Sequence, residues 1–217
     1  MCQLERKQVI AVHNVSTTYH VPLLLEKQKL LGTLSNLLNL SSIQQPAAMI
    51  ENGGHMWNKW VELAHSQDHL HDTVSIALVG KYTSLHDAYT SLSKSFEHAA
   101  MFSRKKLKIV WVDASHLEDK TLDVSPAEFH KAWHDVCTAN GVCVPGGFGE
   151  RGTLGMMKAI TWARTKKIPF LGICLGFQLA VIEYARSVAK IEDAGSEELH
   201  PHAKNHAIVY MPEVNVC

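Results

Sequence analysis

From Thr73 onward the chain repeats one pattern. Short apolar runs, "VSIALVG", "LKIVWVD", "GVCVPGG" and "IPFLGIC", are separated by longer stretches with helical spacing of apolar residues: "LHDAYTSLSKSFEHAAMF", "PAEFHKAWHDVCTA" and "TLGMMKAITWARTKK". Strands that alternate with helices predict an α/β fold built on a doubly wound, mostly parallel sheet. Right-handed crossovers cover such a sheet with helices and gather the C-terminal strand ends along one edge, where ligands bind. A further strand is expected in "HAIVYMP".

The residues before Thr73 are less regular. "QVIAV" (Gln8 to Val12) reads as a short strand, and "VPLLLEKQKLLGTLSNLLNL" from Val21 as one or two helices, with Pro22 near a helix start. "SSIQQPAA" and "ENGGH" read as loops, and the stretch around "MWNKWVELAH" as partly helical within a linker. No internal repeat or low-complexity tract interrupts the chain.

Composition narrows the partners. Twenty-one lysines and arginines balance 21 aspartates and glutamates, so overall charge favours neither nucleic acid nor an anionic membrane. The 14 histidines make that neutrality pH-sensitive below about 6.5. Five scattered cysteines, Cys2, Cys137, Cys143, Cys174 and Cys217, form no C-x-x-C pair and fit a reducing cytoplasm. The opening "MCQLERKQVIAV" lacks the long apolar core of a signal peptide, and no window approaches the apolar length of a membrane span.

Two loops leave the expected ligand edge. In "PFLGICLGFQLAVIEYA", Cys174 follows a strand and precedes a helix, with Gly172 and Gly176 leaving room around it, the form of a nucleophile elbow. A helix N-terminus facing a thiol favours the thiolate. A buried small hydrophobe at a strand end is the other reading of such a cysteine. In "PGGFGERG" consecutive glycines let backbone N–H groups approach a ligand as an oxyanion hole requires. A plain strand-to-helix turn, or a phosphate loop without the lysine of a P-loop, fits the same residues.

Together, "VPGGFGERGTLG", "FLGICLGFQLAVIEYARSV" and "DAGSEE" resemble the glutamine amidotransferase part of the CTP synthase family, a class I amidotransferase of the cysteine-triad kind with a flavodoxin-like core. "SIALVGKYTSLHDAY" resembles the same family, and "VHNVSTTYHVPLLLEKQ" resembles the end of its synthetase domain. The resemblance implies Cys174 as the nucleophile that attacks the side-chain amide of glutamine, with Gly147 and Leu175 as backbone oxyanion donors. Gly146 and Phe148 belong to the same substrate-facing loop, and Gln178 and Glu198 match positions that hold the substrate's amino-acid end. His13, Asn14 and Val15 match the segment bordering the adenine of ATP. No cofactor is expected within these residues. The resemblance implies a complete enzyme that uses ATP with magnesium, takes UTP and glutamine, responds to GTP and is a homo-oligomer, and no nucleic-acid or membrane partner is expected.

The family's base is a histidine followed two residues later by glutamate, far beyond the cysteine. The 43 residues after Cys174 contain His200, His202 and His206 but no such pair. The expectation is therefore a truncated piece, with an incomplete sheet at its C-terminal side and no appreciable glutaminase activity of its own. The synthetase phosphate loop and magnesium ligands are also missing from it. The expected divisions are a synthetase-domain tail over 1–45, a linker over 46–72 and a partial amidotransferase domain over 73–217. Leu154 stands where the family usually has glutamate, in the loop on which GTP acts. Asn14 replaces an aspartate, and "IENGGHM" resembles an insertion.

Other residues carry plainer readings. His65, His69 and His71, and His200, His202 and His206, have spacings that could hold a metal but lack a ligating cysteine, and no metal site is expected. Trp57, Trp60 and Trp162 are expected to pack helices against the sheet, and Cys137 and Cys143 to fill core. The competing functions are a catalytically silent binding or oligomerisation module, and another cysteine-elbow hydrolase or redox thiol protein.

Overall fold

The computed structural model describes residues 3–211, so Cys2, Cys217 and the last residue of "HAIVYMP" lie outside the described residues. Two compact units form. One comprises the residues up to Asp72 with Met101–Lys106, and the other Thr73–Ala100 with the chain from Leu107 on.

In the first unit, Arg6–Gln8 make a 3-10 turn and the "QVIAV" run is not a strand. Its backbone is satisfied by a side chain instead. The Gln28 amide accepts from Ala11 N–H at 2.8 Å and donates to the Ala11 carbonyl at 2.8 Å, doing for one residue what a neighbouring strand would do for several. Helix α1 (Val21–Lys27) has proline in its first turn, where no N–H is missed, and α2 (Leu30–Leu37) follows.

Helix α3 (Ala47–Gln67) runs through "ENGGH", which is therefore helical and not a loop. Trp57, Trp60 and Ala64 follow the glycine pair at helical spacing, and their packing offsets its low helix propensity. Trp60 donates its indole N–H to the Tyr19 carbonyl at 3.0 Å with the two rings 5.6 Å apart. Trp57 lines an apolar cavity of about 340 Å³ with Pro22 and Gly53. These tryptophans thus pack α3 onto the 19–22 segment rather than onto the sheet, whereas Trp162 packs against the sheet core as expected.

The second unit carries β1 (Thr73–Gly80), α4 (Thr90–Phe102), β2 (Lys106–Asp113), α5 (Asp119–Val124), α6 (Pro126–Thr138) and β3 (Gly141–Val144). It continues with α7 (Thr153–Lys166), β4 (Phe170–Gly172), α8 (Leu175–Ser187), β5 (Ala194–Ser196) and β6 (Asn205–Ile208). The main sheet has the order β2-β1-β3-β4. Strands β1 and β3 pair in parallel, Ala77 opposite Val142, and β3 and β4 likewise, Cys143 opposite Leu171. The fold is α/β with a mostly parallel sheet and flanking helices. Strands β5 and β6 form a separate parallel pair.

The core joins sheet residues Ala77, Val79, Val142 and Val144 to Met156 and Ile160 of α7 and Leu179 and Ile182 of α8. Cys143 belongs to this interior, and burial pushes its thiol up to about 12. Cys137, expected in the core, is exposed on α6 because only one face of that amphipathic helix turns inward, through Ala132 and Val136.

Glu183 is one of the charged groups buried in this unit, with Lys81 and Glu118. Glu183 of α8 is 3% exposed and receives Arg164 of α7 through two forked contacts, Nε at 3.0 Å and Nη2 at 2.7 Å, plus Thr161 Oγ1 at 3.0 Å. Burial opposes ionisation of Glu183, but hydrogen bonds from Arg164, Ser187 and Thr161 outweigh it and hold its pKa below the ordinary glutamate value. Its contribution to stability is therefore present above that ordinary value and lost as pH falls through the depressed one. Removing Arg164 strands a buried carboxylate, whereas Glu183→Met removes the charge itself. We expect Arg164→Ala to cost about 3 kcal/mol in urea unfolding at neutral pH and Glu183→Met clearly less. The opposite ranking would contradict this reading of the pair.

Candidate active site

The strand order fixes where a site can form. The chain goes from β1 outward to β2, then returns to add β3 and β4 on the other side, so the connections after β1 and β3 diverge and leave a crevice at their C-terminal ends. Lys81 leaves β1 there and Pro145–Arg151 leave β3. Beside them, β4 delivers Ile173 and Cys174 to α8.

The elbow is set by close approaches. A Cβ on Gly176 would lie 1.9 Å from the Val144 carbonyl oxygen, and one on Gly172 2.8 Å from the backbone of Gly176. Only glycine permits α8 and β4 to come so near β3 and each other. The same Val144 carbonyl accepts from Ile173 N–H at 3.0 Å. The turn is thereby compressed into two residues, and Cys174 adopts φ +53°, ψ −111°, a combination that residues with a Cβ rarely occupy. Cys174 is the N-cap of α8, its carbonyl taking the Gln178 N–H at 3.0 Å, and it is exposed. The reading of Cys174 as a buried small hydrophobe is therefore set aside.

The second loop lies against it. A Cβ on Gly146 would be 3.4 Å from Cys174 Cβ and 3.8 Å from Sγ. Gly147 rests on the side chain of Lys81, where its own Cβ would be 3.1 Å from Lys81 Cδ. Phe148 projects outward, 82% exposed, and Gly149 takes φ +73°. Leu175 is buried at the first turn of α8, and Gln178 is half-buried one turn on.

Glu198 is exposed in the turn after β5, its N–H donating to Ser196 Oγ at 3.2 Å. Its negative charge acts on Lys81, and that of Glu150 on His200, so this turn borders the glycine loop. His200 Nδ1 accepts from Ser196 N–H at 3.4 Å, and His206 Nε2 faces the His200 carbonyl at 3.2 Å. Both rings thus serve the backbone of the β5–β6 segment. Burial, then the charge of Arg186, pushes the His200 pKa down, favouring the neutral ring that can accept this bond. His13, Asn14 and Val15 lie in the first unit, outside helices and strands. Among the described residues no three metal-ligating side chains cluster, and no helix is long and apolar enough to cross a membrane.

Three residues that the sequence reading passed over complete the crevice. Lys81 is 3% exposed, and its ammonium donates to the carbonyls of Phe148, at 3.0 Å, and Gly149. Arg151 donates to the Lys81 carbonyl and pairs with Asp113 at the end of β2 at 3.3 Å. Burial first, and Arg151 second, push the Lys81 pKa below its usual value.

Residues 84–213 match the family model of class-I glutamine amidotransferases. The chain belongs to the class-I glutamine amidotransferase family. Its curated relatives are CTP synthases: that of Neurospora crassa is 50% identical over 98% of this chain and 36% of that protein. The Schizosaccharomyces pombe enzyme is 51% identical over 99% and 36%, and human CTP synthase 2 is 45% identical over 99% and 35%. The chain thus spans about a third of the length of these relatives. The solved glutaminase domain of Trypanosoma brucei CTPS with bound acivicin is 38% identical, with a TM-score of 0.54 over 61% of this chain and 48% of that one. In this amidotransferase the elbow backbone stores strain that glycine would not feel. We expect Cys174→Gly to be more stable than Cys174→Ala by about 1 kcal/mol in urea unfolding, since alanine keeps the strained Cβ. Equal or reversed stabilities would remove the strain from the account.

Proposed function

We propose that this chain is the glutamine-hydrolysing part of a CTP synthase, with Cys174 as its nucleophile. The observation that carries the proposal is the placement of Cys174, strained and exposed at the N-terminus of α8, against Gly146 of the loop that follows β3. In the proposed reaction the thiolate attacks the side-chain amide carbon of glutamine. The C–N bond then breaks, nitrogen leaves as ammonia with a proton taken from a general acid, and a γ-glutamyl thioester remains. Water cleaves the thioester to glutamate and restores the thiol.

In this reading the N–H groups of Gly147 and Leu175 hold the oxyanion, the type of donor whose loss typically costs a hundredfold or more in rate. Gly146 leaves room for the substrate, Phe148 covers its aliphatic part, and Gln178 and Glu198 take its amino-acid end, the carboxylate suiting an ammonium. We assign the general acid and base to the family's downstream His-x-Glu pair, which this sequence does not contain after Cys174.

We further propose residues 1–45 as the end of a synthetase domain, 46–72 as a linker and 73–217 as amidotransferase domain. In the complete enzyme ammonia would pass to a synthetase site that uses ATP, magnesium and UTP, with GTP as effector, in a cytoplasmic homo-oligomer. His13, Asn14 and Val15 would border the adenine. The described residues around them supply no phosphate-cradling loop and no cluster of carboxylates, so this chain alone does not fit an ATP–magnesium site.

The test uses the chloroketone analogue of L-glutamine, which alkylates a thiolate with loss of chloride. Cys174 should be labelled in a saturable manner, glutamine should protect it, and Cys174→Ala should abolish the labelling. Glutamate release by the chain alone should stay slow, because positioned acid–base groups contribute roughly 10²–10⁴-fold. Labelling that glutamine does not compete would contradict the proposed function and favour a silent module.

A further inference from the structure

An oxyanion site in the Pro145–Arg151 loop needs that loop held still. A loop with three glycines in five residues, Gly146, Gly147 and Gly149, has many conformations open to it, and an oxyanion donor must be held within a fraction of an ångström to act. Phe148, its one aromatic side chain, is exposed and cannot hold the loop. The restraint comes from below. Lys81 is almost fully buried, and among the described residues no carboxylate forms an ion pair with its ammonium. Instead it donates to two successive peptide carbonyls, those of Phe148 and Gly149, while its stem supports Gly147.

Burying a lysine for two carbonyl acceptors is a costly way to close a strand end, and both acceptors belong to the two residues that follow Gly147. The lysine is itself held. Its N–H donates to the Tyr89 hydroxyl at 3.1 Å, and its carbonyl receives Arg151, which Asp113 fixes from β2. The end of β1, the end of β2 and the glycine loop are thus one charge-assisted network.

We propose that Lys81 is the positioning residue of the oxyanion loop: its ammonium clamps the Phe148 and Gly149 carbonyls and its stem supports Gly147, so that the Gly147 N–H faces Cys174. Arg151 acts in series by fixing the Lys81 backbone. This rests on the amidotransferase reading of the site, and its test separates the two.

The experiment measures inactivation of the chain by the glutamine chloroketone, resolving the maximal rate constant from the half-saturating concentration, and follows alkylation of the Cys174 peptide by iodoacetamide, which needs no oxyanion hole. Lys81→Met keeps the stem and removes the charge. It should lower the maximal chloroketone rate about tenfold or more, with half-saturation and the iodoacetamide rate each within about twofold of the parent chain. Lys81→Arg, which keeps a donor, should recover part of the rate.

If Lys81→Met does not fold, the exposed Arg151→Met decides by the same criterion, with a smaller drop in the maximal rate expected. An unchanged maximal rate, or equal losses toward both reagents, overturns the positioning role. If the parent chain itself shows no glutamine-competed labelling, the amidotransferase reading fails and the inference with it.

Discussion

The contact between α8 and β3 governs the rest of the second unit. Gly176 lies so near Val144 that the strand carbonyl occupies the space any side chain would need, and that carbonyl also takes the Ile173 N–H. Between these two restraints the chain must reverse from strand to helix within Ile173 and Cys174. Cys174 absorbs the cost as backbone strain and is left exposed at the first turn of a helix, where the helix dipole favours an anion. The tight approach also carries Gly146, two residues beyond Val144, to the edge of the thiol. A looser packing of α8 would lose the elbow and its neighbouring loop together.

Charge is placed with comparable economy. Arg164 and Glu183 link α7 to α8 behind the elbow, and Lys81, Arg151 and Asp113 link three strand ends beneath the glycine loop. In both networks a charged group taken from water finds oxygen or nitrogen partners in fixed geometry, which is the condition for burying it without losing the fold.

Much of this was legible in the sequence, and the failures have physical causes. Strand β3 and the second half of β1 appeared as apolar runs because residues buried on both faces need no alternation, whereas β2 alternates at its start and β4 leaves Leu171 exposed. Helix α7 was equally plain from its apolar spacing. Strand β5, "AGS", was invisible, since three small residues give no period. "QVIAV" looked like a strand because its side chains suit one, yet its backbone partner is the Gln28 amide. "ENGGH" looked like a loop because of its glycine pair, and the residues that pack this helix, Trp57, Trp60 and Ala64, come only after it. Cys174 with its flanking glycines and the consecutive glycines of "PGGFG" stood out from spacing, whereas the individual roles proposed for Gly147, Phe148, Leu175, Gln178 and Glu198 rest on resemblance. Lys81 and Glu183 escaped both routes, because a charged residue in a sequence reads as a solvated one until its partners are seen.

On the proposed function, Cys174 and the glycine loop together form a site that stabilises negative charge on the oxygen of a glutamine carbonyl. The most direct measurement is a crystal structure of the chain after alkylation by the glutamine chloroketone. The account predicts the ketone-derived oxygen within about 2.7–3.1 Å of the backbone nitrogens of Gly147 and Leu175, with the amino group toward Glu198. An adduct on Cys174 whose oxygen faces solvent, bonded to neither nitrogen, would contradict it.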